Sequence, residues 1–542
     1  MKHLKWLRRL VALTVFCATA LLFLSDGLLA SGLAKILTWP QFAPSLLAFC
    51  NQPQLTALAW LAVIILTIFF GRIYCSALCP LGIAQDGATR LFGPKKRRFI
   101  PAIPRWHYGI MTLTIVTFIV GHGLILRLLE PFSAFGRILN QIARPVALAL
   151  RWLAAKILEY FEMYLIAPPS WPPWALSSFA IASFTLVLVA WLAARHGRLY
   201  CNSICPFGAL FGICAKRAVF APRIDAAICT GCRQCEAICK ADCINARERT
   251  VDRSRCVACY NCLSVCKEGA LRLRPGQTKG QTVLSAPMPG GKIKRKKPSA
   301  ARPGKPETAR RALLASLGAT MACFFLSKRG QAAPDTPIQV PHPEKPTTIP
   351  ERRAHPVSPP GSIGIAHFTD YCTACQLCVA VCPSRVLSPS LFEFGVDSMM
   401  QPRMDFGGGY CAFECVNCLE VCPVTAILPL SLAEKKLIQI GVARFIKENC
   451  VVHTEGTACG ACSEHCPTKA VDMVAYPHPT KSNLKIPEIK ADFCLGCGAC
   501  EHACPTRPYR AIVVDGNPIH KKAKKPDFKP VAAPSDIDAF PF

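Results

Sequence analysis

Acidic side chains are in short supply in this chain. Against 63 Lys and Arg stand 33 Asp and Glu, a formal charge of +30 over 542 residues. A C-x-x-C-H haem site, a Gly-rich dinucleotide fingerprint and a P-loop are also missing, so the usual routes to haem, dinucleotide and phosphate chemistry find no support. No RNA- or DNA-binding motif accompanies the positive charge, which gathers in loops and linkers. No nucleic-acid partner is therefore expected, and the charge is read as membrane orientation. Charged residues make up only 18% of the chain while 51% are hydrophobic. That balance calls for membrane helices in one part rather than one uniformly apolar core.

Cysteine is the opposite case, with 33 in the chain. Cys494, Cys497, Cys500 and Cys504, followed by Pro505, have the C-x2-C-x2-C-x3-C-P spacing of a bacterial-type 4Fe-4S ferredoxin run, which outweighs a disulfide framework. Three thiolates at that spacing wrap a cubane from one tight loop, and the fourth is aimed at a neighbouring cube, so runs come in pairs. Cys229, Cys232, Cys235 and Cys239 precede Cys256, Cys259, Cys262 and Cys266, with Lys240 and Lys267 where proline is usual. Cys372, Cys375, Cys378 and Cys382 precede Cys411, Cys415, Cys418 and Cys422, whose first gap is one residue longer. In the last pair Cys450 stands ahead of Cys459, Cys462 and Cys466, and the run ending at Cys504 completes it. Cross-ligation then exchanges Cys239 with Cys266, Cys382 with Cys422, and Cys466 with Cys504. Six 4Fe-4S clusters are expected from these runs. They remove roughly 12 positive charges, since an oxidised cubane with four thiolates carries about two negative ones. Cys17, Cys50, Cys214, Cys243 and Cys323 match no run and are read as buried or free thiols.

The fold expected is an α-helical membrane domain of about four transmembrane helices plus three small α+β two-cluster ferredoxin-like modules. The membrane domain covers residues 1–220. Apolar runs near Leu10–Ala30, Leu55–Phe70, Tyr108–Leu126 and Trp174–Ala194 approach spanning length. The first could be taken for a signal peptide, but it is long for one and further apolar runs come after it. Pro145 to Leu165 is amphipathic and is placed at the interface. The N-terminus, the loop with Arg90, Lys95, Lys96, Arg97, Arg98 and Arg105, and the segment after Arg195 are basic, which assigns them to the cytoplasm. The stretch Ser31 to Gln54 then becomes an outward loop.

Spans two and four each end in one phrase. Gly71, Arg72, Tyr74, Cys75, Cys79, Pro80 and Gly82 return as Gly197, Arg198, Tyr200, Cys201, Cys205, Pro206 and Gly208. Cysteines at i and i+4 share a helix face, and two parallel helices ending on one side would bring Cys75, Cys79, Cys201 and Cys205 together. The readings are an additional metal or redox centre at the cytoplasmic membrane surface, a packing motif with reduced thiols, or a disulfide.

The first ferredoxin pair occupies a cytoplasmic module at 221–275, and a basic linker covers 276–309. At 310–333, Arg310 and Arg311 precede an apolar run and small residues, which reads as a twin-arginine-like signal or as a fifth membrane helix. Both place the rest of the chain on the far side of the membrane: a Pro-rich linker at 334–360, a periplasmic four-cluster polyferredoxin at 361–520 and a basic tail at 521–542. Export of a folded domain suits cubanes, which are inserted in the cytoplasm and hold the fold together.

The four-helix half, with its twin phrases and first ferredoxin pair, resembles the NapH/MauN family of membrane ferredoxins. The half from Arg310 onward, with its long gap from Cys450 to Cys459, resembles the NapG/MauM family of exported polyferredoxins. The chain thus looks like a fusion of the two. The resemblance implies a quinol dehydrogenase component of the cytoplasmic membrane, taking electrons from the quinol pool to a periplasmic reductase such as nitrate reductase, or to a cytochrome c. The alternative is an iron-sulfur maturation factor for a periplasmic redox enzyme. Quinol oxidation needs proton acceptors, for which the apolar segments and their ends offer Asp26, His122 and Glu130.

Overall fold

A computed structural model describes residues 2–25, 29–54, 58–93, 99, 104–165, 168–169, 171, 175–275, 348–350, 352–478 and 481–525. Asp26, Cys323, the basic linker, the signal-like segment and most of the tail lie outside the described residues.

The helical domain opens with α1 (Lys2–Leu24), α2 (Leu29–Thr38), α3 (Phe42–Asn51) and α4 (Ala59–Phe70). A short turn of helix, α5 (Tyr74–Ala77), leads to α6 (Pro80–Phe92), then α7 (Pro104–Ile119), α8 (Leu124–Leu129) and α9 (Pro131–Ile138). A π-turn joins α9 to α10 (Arg144–Tyr160), and α11 (Leu176–His196), α12 (Leu199–Ser203) and α13 (Pro206–Ala215) complete the domain. Residues 3–24 and 176–196 are long and apolar enough to cross a membrane. The helices found at the second and third expected spans, α4 and α7, have 12 and 16 residues. At 1.5 Å per residue they reach about 18 and 24 Å, short of the ~30 Å apolar thickness of a bilayer.

Three expectations are corrected here. Ser31–Gln54 is helical rather than an irregular loop: α2 and α3 occupy most of it and bury Ala34, Phe42, Ala43 and Leu47. Tyr74 Oη receives the Phe42 amide at 3.1 Å, and the Gln41 side chain reaches the Leu78 carbonyl at 3.1 Å, so the turn between α2 and α3 sits on the first twin phrase. His122 lies beyond the end of α7, not within a helix. Nor do the twin cysteines share the face of one helix. Gly71 ends α4 with φ of 72° and Gly197 ends α11 with φ of 60°, a left-handed conformation that glycine adopts without strain. After a short helical turn, Cys79 and Cys205 are the N-caps of α6 and α13, with Pro80 and Pro206 at the first helical position, where a missing N–H costs nothing.

The ferredoxin modules are built on small antiparallel pairs. β1 (Phe220–Ile224) pairs with β4 (Leu271–Pro275) around the first cysteine pair, with β2 (Ile244–Asn245) and β3 (Thr250–Val251) between them. In the C-terminal half, β5 (Leu387–Pro389) pairs with β6 (Pro402–Met404) and β7 (Ile438–Phe445) with β10 (Ile512–Lys522). β8 (Val471–His478) and β9 (Lys481–Ile489) form a hairpin.

The modules meet α1 at its two ends. Near the N-terminus Lys5 Nζ donates to Ser264 Oγ at 2.9 Å, in the first module. At the other end Phe23 packs on Phe132 with ring centroids 6.2 Å apart, and a Cβ on Gly136 would strike both Phe23 and the Cys375 carbonyl. Roughly 27 Å of helix separates the two junctions. The second junction is polar and closed: the Gln376 side-chain oxygen accepts from Asn140 at 3.1 Å and Gln141 at 2.9 Å, and its amide donates to Ser178 Oγ at 2.9 Å.

Candidate metal centres

Four of the six cysteine runs fold by one local rule. Left-handed residues flank the second cysteine at Gly231 and Arg233, Ala258 and Tyr260, Ala374 and Gln376, and Gly496 and Gly498. This alternation curls the loop so that its amides and thiols face inward, a concavity suited to an anionic group. The runs at Cys411 and Cys459 depart from it, with Val416 and Gly460 in ordinary negative-φ conformations.

The fourth cysteine of each run comes from its partner. Cys229, Cys232, Cys235 and Cys266 line one cavity of about 90 Å³. Cys450, Cys459, Cys462 and Cys504 line another. Cys422 stands in the electrostatic field of Cys372, Cys375 and Cys378, Cys382 in that of Cys411 and Cys418, and Cys466 in that of Cys494's loop. Among the described residues no three His, Cys, Asp or Glu are gathered tightly enough to hold a single ion. The thiols stand apart around shared cavities, a donor set that fits cubanes. Burial pushes the Cys235 thiol up to about 11 and those of Cys372 and Cys462 to about 12. These are protonated at neutral pH, so filling the sites with iron must release protons and is favoured as pH rises.

One thiol was not legible as a site residue. Cys243 Sγ lies 3.5 Å from Cys239 Sγ, and both line a cavity with Cys256, Cys259 and Cys262. The available signal was its position four residues after Cys239. Five thiols therefore surround a place where a cubane takes four. Cys239→Ser is expected to keep this cluster, with Cys243 supplying the thiolate, and the Cys239→Ser/Cys243→Ser pair to lose it; EPR of the reduced protein separates the two results.

The loops also succeed one another in space. Cys262 feels the charge of Cys235, Cys378 that of Cys418, and Cys500 that of Cys462, which joins the two sites of each pair. Between pairs, the Cys411 amide donates to the Cys497 carbonyl at 2.9 Å.

The twin phrases meet in the helical domain. Cys75, Cys79, Cys201 and Cys205 line one cavity, with Tyr74, Tyr200, Phe207 and Phe211 around them. The two repeats exchange arginines. Arg72 donates to the Cys201 carbonyl at 2.8 Å and Arg198 to the Cys75 carbonyl at 2.7 Å, both side chains being fully buried. Gly82 and Gly208 allow the approach, because a Cβ on either would strike the same carbonyl oxygens. The Gln85 amide lies 3.3 Å from Cys201 Sγ.

Of the candidate proton acceptors, Glu130 is buried as the N-cap of α9, its carboxylate accepting from the Phe132 and Ser133 amides. That is structural work at a helix end. His122 Nδ1 lies 2.6 Å from the Asp397 carboxylate, and both side chains are exposed.

Comparison with known proteins agrees with this chemistry. A 4Fe-4S binding domain family matches residues 52–98 and 176–224, the stretches that carry the twin phrases. Two 4Fe-4S dicluster domain families match residues 371–427 and 457–507. The putative electron transport protein YccM of Escherichia coli is 25% identical over 182 residues, 33% of this chain and 44% of that protein. The methylamine utilization ferredoxin-type protein MauM of Methylophilus methylotrophus is 28% identical over 157 residues, 27% of this chain and 65% of that protein. The ferredoxin-type protein NapH of Haemophilus influenzae is 26% identical over 204 residues, 37% of this chain and 59% of that protein. The chain thus spans about half to two-thirds of the length of these relatives. No solved structure matches. The chain carries several 4Fe-4S domains, and its relatives are ferredoxin-type electron-transport proteins.

Proposed function

We propose that the chain is a membrane electron conduit that passes electrons from quinol through its clusters to a periplasmic reductase. The observation that carries the reading is an open cleft where the helical domain meets the Cys372–Cys382 run. Phe179, Val379 and Leu387 line it with apolar side chains, and Asn140 and Gln141, which already donate to Gln376, keep a second amide hydrogen each for a quinone oxygen. Val379 is the residue directly after Cys378, so a ring in this cleft is one residue from a cluster ligand. Oxidation of one quinol releases two protons and two electrons, and the clusters supply one-electron acceptors, two of which take one electron each. Both protons pass to solvent at the cleft.

The test is anaerobic addition of a menaquinol analogue to the oxidised protein in detergent, with cluster reduction followed by absorbance and EPR. Rapid reduction is expected, slowed at least tenfold by Phe179→Ala. Clusters that dithionite reduces and quinol leaves oxidised would overturn the reading.

A further inference from the structure

We infer that Cys75, Cys79, Cys201 and Cys205 hold a further iron-sulfur centre, and that it relays electrons between the first ferredoxin module and the C-terminal modules. The inference rests on the membrane placement of the proposed conduit but not on quinol as the donor.

The first argument is position. Arg72 spans the gap to the first module: it donates to the Cys201 carbonyl and, at 3.1 Å, to the Ser254 carbonyl, two residues before Cys256. On the opposite side Pro131 lines the cysteine cavity, and five residues on Gly136 touches the Cys375 carbonyl. That stretch of α9 is only about 7.5 Å long. The four thiols therefore lie between Cys256 and Cys375, ligands of the nearest clusters on either side. Without them the first module is an isolated pair.

The second argument is charge. Arg198 has a carboxylate, Asp86, whose oxygen lies 2.9 Å from its Nε. The same carboxylate also faces Lys240 at 2.9 Å and Arg8 at 3.6 Å. Arg72 has no carboxylate partner among the described residues; it bonds the Asn202 side-chain oxygen at 2.6 Å and backbone carbonyls. The position matching Asp86 in the second repeat is Gly212. Beside the cavity Arg72 is thus a buried cation without a carboxylate, and burying charge without compensation is costly. Reduced thiols or disulfides are neutral and leave that charge unanswered. An oxidised cubane with four thiolates brings about two negative charges and offsets it. The N-termini of α6 and α13 open on the same cavity and add to the preference for an anion, and neither Cys79 nor Cys205 spends its sulfur on capping. Gln85 supplies an N–H toward sulfur, a contact of the kind that sets cluster potential.

The relay step moves one electron and breaks no bond. The centre gains an electron from a reduced cluster on one side, which becomes oxidised, and returns to its starting state when it reduces a cluster on the other. No proton or co-reactant is needed.

Iron and sulfide analysis of the purified full chain comes first. With the six ferredoxin-run clusters filled, about 28 irons per chain are expected with the further cubane and about 24 without it. In Cys75→Ser/Cys201→Ser the count falls by about four while the EPR signals of the remaining clusters persist. In proteoliposomes with the C-terminal modules outside, dithionite added outside reduces the first module's clusters in the parent chain, and at least 100-fold more slowly in the double variant. A parent count of about 24, or equal reduction rates in the two proteins, overturns the proposal. If the double variant does not fold, the parent count decides alone. Dithionite replaces quinol throughout, so a protein that ignores quinol still answers whether the relay exists.

Discussion

Asp86→Asn will loosen the first ferredoxin module from the helical domain at a cost of about 3–5 kcal/mol, the usual penalty for removing one partner of a buried ion pair. The Asp86 carboxylate gathers Arg198 from the second repeat, Lys240 from the first module and Arg8 from α1. Arg198 is fully buried, and its backbone amide also donates to the Lys240 carbonyl at 3.0 Å. Three separate segments are therefore pinned at one anion. The amide variant keeps the shape and removes the charge that three cations share. Thermal unfolding should show the loss as a fall of several degrees in the transition carrying the first module's clusters, and proteolysis should begin near Pro222 and Lys240. An unchanged transition would mean that solvent or the neighbouring carbonyls neutralise those cations.

The second large effect is expected at the other junction. Arg127 is buried, and its Nε donates to the Cys372 carbonyl at 2.9 Å while its terminal nitrogens donate to the Asp397 and Thr369 carbonyls. Hydrogen bonds from a charged donor contribute roughly 1.5–3 kcal/mol each, and the acceptors here keep little alternative. Gln401 also serves the Thr369 and Cys372 carbonyls, both at 2.9 Å, which softens the loss at those two. Arg127→Ala is expected to cost about 3 kcal/mol at this contact and to slow electron passage between the halves at least tenfold, with the iron content unchanged. Arg127→Lys keeps the charge without the planar fork and should fall between the two. Rapid-mixing reduction of the first module by a donor that enters at the C-terminal end measures it. A rate within twofold of the parent would show that Gln376 and its partners hold the junction unaided.

The cysteine runs were legible because their chemistry is local: spacing alone carries the fold of a C-x2-C-x2-C loop, down to the left-handed residues on either side of Cys232 or Cys497. The meeting of the four twin cysteines was legible as a repeat, though for an incomplete reason, since the phrase is a helix break with Cys79 and Cys205 as caps. What was hidden depends on long-range packing. Helices α2 and α3 escaped because each has ten residues, too few for an apolar run to stand out beside Pro40 and Pro44. Glu130 looked like a proton acceptor at the end of a span, whereas its position just before Pro131 and Phe132 is that of an N-cap. Cys243 looked unassigned because its neighbours are Cys239 and Cys256, one on either side in sequence and joined only by folding. The order in which the modules line up depends on contacts such as Cys411 to Cys497, which no spacing rule encodes.

The exchanged arginines carry one more implication, for how the helical domain can be divided. Each repeat holds the guanidinium that stabilises the other's cysteine turn, so neither half contains a finished site. A fragment ending before Arg198 would hold Arg72 aimed at a carbonyl that is absent, and the later fragment would carry the mirror defect. Severing the chain between α6 and α7 should therefore give two pieces that are insoluble apart and regain structure only when made together, as the two arms of a clasp close only on each other.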